Sequence, residues 1–405
     1  MRCILHIGTE KTATTLLQKW LYHNIDRLDK CGIYLSEIIG KPNNQLVPAY
    51  FSNQLYSWAE SKGISTIDEK NKYFEGFLSS LSHEIEDASK KYSCFLITAE
   101  HMHSQLRTKK EIETLYNYLK DKFDSIEVYC YFRNQYDMAI SRYSTALKGS
   151  SVKSLDMFLD DVHPNNYYYN YGQIADNWKS VFGDLNCKFS IYDRARFTNN
   201  DIRKDLIAKI DRDIDLSNFD YTITEENSSL TYLQAVAFKR INSHFPRFKK
   251  ADGGLSTINQ QLKQAILNTH PLRLGKIESD RRVEIEGKFS TINEYFFHNN
   301  FGSRNKFLTT GNDKPIKSGE KENLVQLGVL VDEILMGVFK VLQNPLEDHD
   351  ANCLRDIALK LIKDSPENLN DALSLMKLAK RARPKGPLIG KKVDEWSKML
   401  IQDKQ

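Results

Sequence analysis

The stretch Met1-Arg2-Cys3-Ile4-Leu5-His6-Ile7-Gly8-Thr9-Glu10-Lys11-Thr12-Ala13-Thr14-Thr15-Leu16-Leu17-Gln18-Lys19-Trp20 reads as three pieces. Cys3 to Ile7 is a short apolar run of the kind a buried strand needs. Gly8 ends it and opens a tight polar loop with Lys11 and the hydroxyls of Thr9, Thr12, Thr14 and Thr15. From Thr15 onward Leu16, Leu17, Trp20, Leu21 and Ile25 fall at helical spacing. Strand, loop and helix N-terminus in this order favour an anion, because first-turn N–H groups and the helix dipole point at it. Lys11 adds a full positive charge, so the stretch reads as a phosphate-type cradle.

The cradle departs from the nucleoside-triphosphatase loop, which places a second glycine directly before Lys-Ser/Thr, and so disfavours that class. Here Glu10 precedes Lys11, and Gly8 to Lys11 is too short. His6 to Thr15 instead resembles the 5′-phosphosulfate loop of sulfotransferases, which use 3′-phosphoadenosine 5′-phosphosulfate (PAPS) as donor. Glu10 and Ala13 depart from the family pattern. Ala13 replaces one small residue by another. Glu10 sets a carboxylate beside an anion site, so it is expected to point away from the donor.

A second segment supports the same resemblance. Val128 to Phe132 is an apolar strand ending at Arg133, and a helix follows through Met138, Ala139, Ser141, Arg142 and Tyr143. Arg133 and Ser141 match the family's 3′-phosphate segment, strand–Arg–turn–helix with a serine eight residues on. A guanidinium fork suits a phosphate, and a hydroxyl on an early helical turn can share it. Pairing of Arg133 with Asp137 is the structural alternative.

A third strand, Cys94 to Thr98, ends in Ala99-Glu100-His101-Met102-His103. Sulfuryl transfer needs a group to take the acceptor's proton. Ile97 to His101 resembles a segment of bacterial carbohydrate sulfotransferases that carries the base. Glu100 matches best, His101 next and His103 third. Neighbouring residues on a strand face opposite ways, so Glu100 and His101 can both face a donor only if the strand has already ended.

Strands alternate with helices along the chain, with further strand candidates at Gly32–Leu35 and Cys187–Tyr192. The expected fold is therefore α/β, a P-loop-like parallel sheet flanked by helices with a C-terminal all-helical extension. Ligands in such sheets sit beyond the C-terminal strand ends, which sets Lys11, Glu100 and Arg133 on one edge. The periodicity predicts one helix over Lys72–Lys91, another over Gln173–Phe182, and a closing helix over Glu294–Phe301. Tyr167, Tyr168, Tyr169 and Tyr171 are expected to pack rather than to meet a sugar. Glu226 to Leu230 resembles a late family turn in which Ser228 or Ser229 caps the next helix. The basic stretches at Arg247–Lys250 and Arg281-Arg282 read as solvated turns.

The expected boundaries are a sulfotransferase domain over 1–308, a polar linker over 309–322 and a helical extension over 323–405. In the extension, Asn323–Leu342 reads as one helix, and Cys353–Ile362 with Leu369–Ala382 as a tetratricopeptide-like hairpin. A last helix falls near Val393–Leu400. A single hairpin cannot bury its own face, so it should pack on the main domain or on another chain.

With 405 residues, 40% of them hydrophobic and a formal net charge of +4, the chain offers a sizeable core and no case for nucleic acid. No run of 18 or more apolar residues and no signal-length N-terminal segment is present. Six scattered cysteines suggest reduced, buried thiols rather than disulfides or a metal site. A cytoplasmic, bacterial-type enzyme is the expectation.

The resemblance implies sulfuryl transfer from PAPS to a hydroxyl, with a glycan or glycoconjugate as the expected acceptor, and no metal. It implies a cofactor cradle of Gly8, Lys11, Thr12, Ala13, Thr14, Thr15, Arg133 and Ser141, with Lys11, Glu100 and His101 as the catalytic set. A P-loop small-molecule kinase and a non-catalytic nucleotide-binding scaffold are the alternatives. The acceptor and self-association through the C-terminal helices stay open.

Overall fold

The computed structural model describes residues 1–224, 229–246, 256–307, 318–343, 348–364 and 368–402. Five strands form one sheet in the order β2-β3-β1-β4-β5: β1 Arg2–His6, β2 Ile33–Leu35, β3 Cys94–Thr98, β4 Ile126–Phe132 and β5 Cys187–Ile191. Every neighbouring pair runs parallel. The central strand β1 pairs with β3 from Arg2↔Cys94 to His6↔Thr98, and with β4 from Cys3↔Ile126 to His6↔Tyr129. The register ends β1 and β3 level, at His6↔Thr98, while β4 runs on past Tyr129 to Phe132.

The two-residue period of a strand sends alternate side chains to two cores. Cys3, Leu5 and Ile7 join Phe95, Ile97, Val128, Cys130 and Phe132 on one face. Helices Phe77–Ser89, Lys109–Leu119 and Tyr171–Phe182 cover that face with Leu81, Ile112, Leu115, Ile174 and Trp178. Ile4, Leu96, Tyr129 and Tyr131 point the other way, against Leu17, Trp20 and Leu21 of helix Thr14–His23 and Leu206 and Ile207 of helix Ile202–Ile210. Trp20 and Trp178, one in each core, are fully buried. Burying side chains of that size is worth about 3 kcal/mol or more apiece. The apolar runs are thus strands covered on both faces, as a parallel sheet requires.

Several elements differ from the sequence expectation. The first helix stops at His23, and Ile25 begins a second, Ile25–Lys30. Asn24 breaks the run: its side-chain amide donates to the carbonyls of Trp20 and Asp220, and its carbonyl oxygen accepts the Asp220 N–H. The Lys72–Lys91 helix is two helices, Ile67–Tyr73 and Phe77–Ser89, parted at Gly76, whose φ is +77°. Only glycine takes that conformation without strain. Helix Tyr232–His244 is capped by Thr231 in a reciprocal box with Gln234, not by Ser229; Ser228, Glu226 and Asn227 lie outside the described residues. Arg281 and Arg282 are not a solvated turn. Arg281 pairs with Asp160 and Glu284, and Arg282 with Glu286 and Asp137. Arg247–Lys250 lies outside the described residues.

The chain divides into two compact units, Met1–Gly328 and Val329–Gln405. The expected linker over 309–322 is helical from Ser318, where helix Ser318–Gln343 begins; residues 309–317 lie outside the described residues. In the second unit, helices Asp348–Asp364 and Leu369–Ala382 form the expected hairpin, and helix Pro387–Gln402 starts earlier than its periodicity suggests. The hairpin does not stand with one face bare. Ile389, Val393 and Trp396 of the last helix close over Ala358, Leu373 and Met376, so three helices share one cluster. Among the described residues no helix is long and apolar enough to cross a membrane.

Two buried histidines give the first unit a pH dependence. His6 and His103 are fully buried, and burial holds each down at about 4. Both stay neutral in the fold while an unfolded chain protonates them near 6.5. Stability is therefore intact above pH 6.5 and falls as pH drops toward 4, by an amount on the order of a few kcal/mol. Urea unfolding followed at stepwise pH should show this fall, and His6→Gln, which cannot titrate, should make it shallower.

Candidate functional site

The site is built where β1 runs out. Gly8 still belongs to the sheet by its hydrogen bonds: its carbonyl accepts the Tyr131 N–H at 2.7 Å, and the Thr9 N–H donates to Tyr131 O at 2.9 Å. The chain then turns sharply. Gly8 has φ +113°, Lys11 +66° and Ala13 +56°. Left-handed conformations at two non-glycine residues within three positions are costly and mark a backbone held from outside. The Thr9 hydroxyl donates to Tyr131 O at 3.0 Å and the Thr12 hydroxyl to Thr9 O at 2.6 Å. Both threonines are fully buried, so their side chains tie the loop together from within.

Ala13 occupies the N-cap of helix Thr14–His23, and no side chain caps that terminus. The amides of its first turn have no intrahelical acceptor. Thr14 is buried at its start and Thr15 is exposed. Lys11 stands over the loop and donates to the Thr145 hydroxyl at 2.7 Å. Burial lowers the Lys11 pKa, and Lys148 and Arg142 add to the effect, while Glu10 and Glu100 oppose it. Uncapped amides beside a cation among other cations suit a phosphate-type anion.

Arg133 follows β4 and donates from Nη1 to the Lys11 carbonyl at 3.0 Å. Its own carbonyl accepts the Tyr171 hydroxyl at 2.6 Å, and its guanidinium lies 5.6 Å from the Tyr192 ring centre. It does not pair with Asp137, which is taken by Arg282 at 3.4 Å. Ser141 lies on helix Gln135–Gly149, one turn before Thr145, whose hydroxyl donates to Ser141 O at 3.3 Å. The i,i+4 relation puts Ser141 on the face that meets Lys11.

Glu100 follows β3. The strand ends at Thr98, and Glu100 has helical φ and ψ at the N-cap of the short helix His101–Gln105. The condition for Glu100 and His101 both to meet the loop is therefore fulfilled. A Cβ added to Gly8 would sit 3.3 Å from both Glu100 Cα and Glu100 O, so the ends of β1 and β3 touch. Glu100 is 9% exposed and accepts the Gln18 side-chain amide, which also donates to Thr98 O at 3.2 Å. Burial raises the Glu100 pKa, with His101 and Gln18 working against it.

Glu10 does not face the amides. One carboxylate oxygen accepts the Tyr168 hydroxyl at 3.0 Å, and the other lies 3.4 Å from His101 Nδ1. Burial works to raise the Glu10 pKa, but the hydrogen bond and charge of His101 outweigh it and hold the carboxyl below its usual range. Burial likewise works to lower His101, and the Glu10 carboxylate outweighs it, so the imidazole lies above its ordinary value. His103 turns inward, with Nε2 2.9 Å from Tyr168 O. Tyr168, Tyr169 and Tyr171 are buried and pack in the core, as expected.

The sheet edge thus gathers Lys11, Glu100, His101 and Arg133, while His103 belongs to the core. Sequence reading passed over Gln18, Thr145 and Tyr168. Gln18 had a signal, a polar residue on the helical face shared by Thr14 and Leu21. Thr145 lies four residues after Ser141. Tyr168 had none, since only the tertiary fold brings it to Glu10.

No family model matches the chain. It is 25% identical over 191 residues to an uncharacterised protein of Archaeoglobus fulgidus, a match covering 45% of this chain and 48% of that one. The chain therefore spans about half the length of the relative it matches. Among solved structures it is similar to a sulfotransferase from Alicyclobacillus acidocaldarius, with a TM-score of 0.36, 13% identity, and 73% of this chain and 94% of that one covered.

The loop makes a direct prediction. In Gly8→Ala the added methyl meets Glu10 N at 3.1 Å and the Glu100 backbone, at a φ that only glycine tolerates. The variant should lose about 1–3 kcal/mol in chemical denaturation, whereas Ala13→Gly, which relieves a left-handed alanine, should be neutral or stabilising.

Proposed function

We propose that this chain is a sulfotransferase that moves a sulfuryl group from PAPS to a hydroxyl acceptor, through a catalytic part over residues 1–308. The observation that carries the reading is the pairing of two anion-seeking positions on one sheet edge. One is the uncapped helix terminus after Ala13 with Lys11 beside it; the other is Arg133, tied to the Lys11 carbonyl. A donor with phosphates at its 5′ and 3′ positions needs two such points; ATP needs only one cluster.

In this reading Gly8 and Ala13 shape the cradle, and the first-turn amides with Thr14 and Thr15 hold the 5′ end. Thr12 contributes through the loop it ties rather than through its buried hydroxyl. Arg133 and Ser141 take the 3′-phosphate. Lys11 neutralises the negative charge that grows on the leaving 5′-phosphate oxygen as the S–O bond breaks. Glu100 and His101 are the groups within the site that can accept the hydroxyl's proton. The resemblance of Ile97–His101 to carbohydrate-acting enzymes makes a glycan the acceptor of choice. Six cysteines without a disulfide, four of them buried, agree with a reducing, cytoplasmic setting.

Calorimetric titration tests the donor. Adenosine 3′,5′-bisphosphate should bind the wild type, and Arg133→Ala should weaken it about 10- to 100-fold, the worth of a charge-assisted contact. Adenosine 5′-phosphosulfate, which lacks the 3′-phosphate, should lose far less in Arg133→Ala, only what the freed Lys11 carbonyl costs the loop. This control separates a lost phosphate contact from a loosened loop. Equal binding of ATP, or no bisphosphate binding, would contradict the reading.

A further inference from the structure

We infer that Glu10 is the positioning residue for His101, and that the pair, not Glu100, takes the acceptor's proton. The inference rests on the sulfuryl-transfer reading and deepens it.

Geometry separates the two candidate bases. Glu100 is nearly closed off, and one of its carboxylate oxygens accepts the Gln18 amide. His101 keeps about a third of its side chain exposed. Its Nδ1 lies 3.4 Å from Glu10 Oε1, so Nδ1 is the nitrogen that carries hydrogen toward a carboxylate. That fixes the tautomer and leaves the lone pair on Nε2. The second Glu10 oxygen accepts the Tyr168 hydroxyl at 3.0 Å, and the Arg142 guanidinium lies 4.4 Å from the Tyr168 ring centre. Glu10 is therefore held from behind by a buried tyrosine and aimed at His101. Carboxylate, imidazole and reacting hydroxyl form the orienter–base order that acyl-transfer triads use on other folds.

The step balances simply. A lone pair of the acceptor oxygen forms the new S–O bond while the bond from sulfur to the 5′-phosphate oxygen breaks. That electron pair leaves with adenosine 3′,5′-bisphosphate, and the hydroxyl proton passes to His101 Nε2. Glu10 stays ionised and stabilises the imidazolium. Glu10 can therefore sit in a loop that must attract an anion, because its charge is directed at His101.

The charged and titratable groups around His101 are Glu10 and Lys11 from the loop and Glu100 from its own segment. His103, Tyr168 and Arg142 act through Glu10. The test is an NMR titration of the His101 imidazole in the wild type, Glu10→Gln and Tyr168→Phe. Alongside it run the pH profile of PAPS turnover and bisphosphate calorimetry on every variant. In the wild type the Nδ1–H tautomer should dominate. In Glu10→Gln the His101 midpoint should move to lower pH, and the acid limb of kcat/KM should move with it. Tyr168→Phe, which keeps the carboxylate, should move both far less. His101→Asn should bind the bisphosphate normally and lose about 10²–10⁴-fold in turnover.

An unmoved His101 midpoint in Glu10→Gln overturns the inference. A moved midpoint with an unmoved acid limb also overturns it, by reducing the pair to a structural contact. Failure of the wild type to bind bisphosphate removes the transfer reading itself, and the catalytic role with it, while the NMR result still reports whether the pair is coupled.

Discussion

The site depends on one hydrogen bond between neighbouring strand ends, from the Arg133 guanidinium to the Lys11 carbonyl. A loop with left-handed residues at Lys11 and Ala13 does not hold that form unaided. β4 supplies the restraint twice, through the backbone of Tyr131, which exchanges bonds with Gly8 and Thr9, and through Arg133 beyond it. The parallel register makes this reach short, because β4 runs on past Tyr129, the partner of His6, to Phe132 and so lies alongside the loop. The same loop and the same arginine thus shape the cradle for one end of an anionic ligand and offer a fork to the other.

Charge is partitioned across the edge with little waste. Lys11 rests on Thr145 rather than on a carboxylate, so its charge is not cancelled by a salt bridge of its own. Glu10, the residue that most threatens an anion site, is bound to His101 and Tyr168. Glu100 is closed off against Gln18, where burial favours its neutral form. The two carboxylates closest to the cradle are thereby kept from opposing it by different means, one by pairing and one by desolvation.

The fold was legible because strands covered on both faces announce themselves as short apolar runs, as β1, β3 and β4 do, while the edge strand β5 alternates apolar and polar residues instead. Two long periodic stretches misled for a common reason: periodicity does not see a break. Asn24 interrupts one by turning its amide onto Asp220, nearly two hundred residues away. Gly76 interrupts the other through a backbone conformation invisible to hydropathy. At the site, the residues that follow strand ends could be placed by topology alone. Their partners could not. The contacts of Tyr168 with Glu10 and of Thr145 with Lys11 arise only when a helix and a turn from later in the chain fold back over the loop. Sequence could state that Glu10 must avoid the anion, but not what would receive it.

The measurement that bears most directly on the central claim is a crystal structure of the protein with adenosine 3′,5′-bisphosphate. The account predicts the 5′-phosphate on the amides that follow Ala13, beside Lys11, with the 3′-phosphate on Arg133 and Ser141. A nucleotide bound away from this edge, or one whose 3′-phosphate points into solvent with Arg133 still on the loop alone, would contradict it.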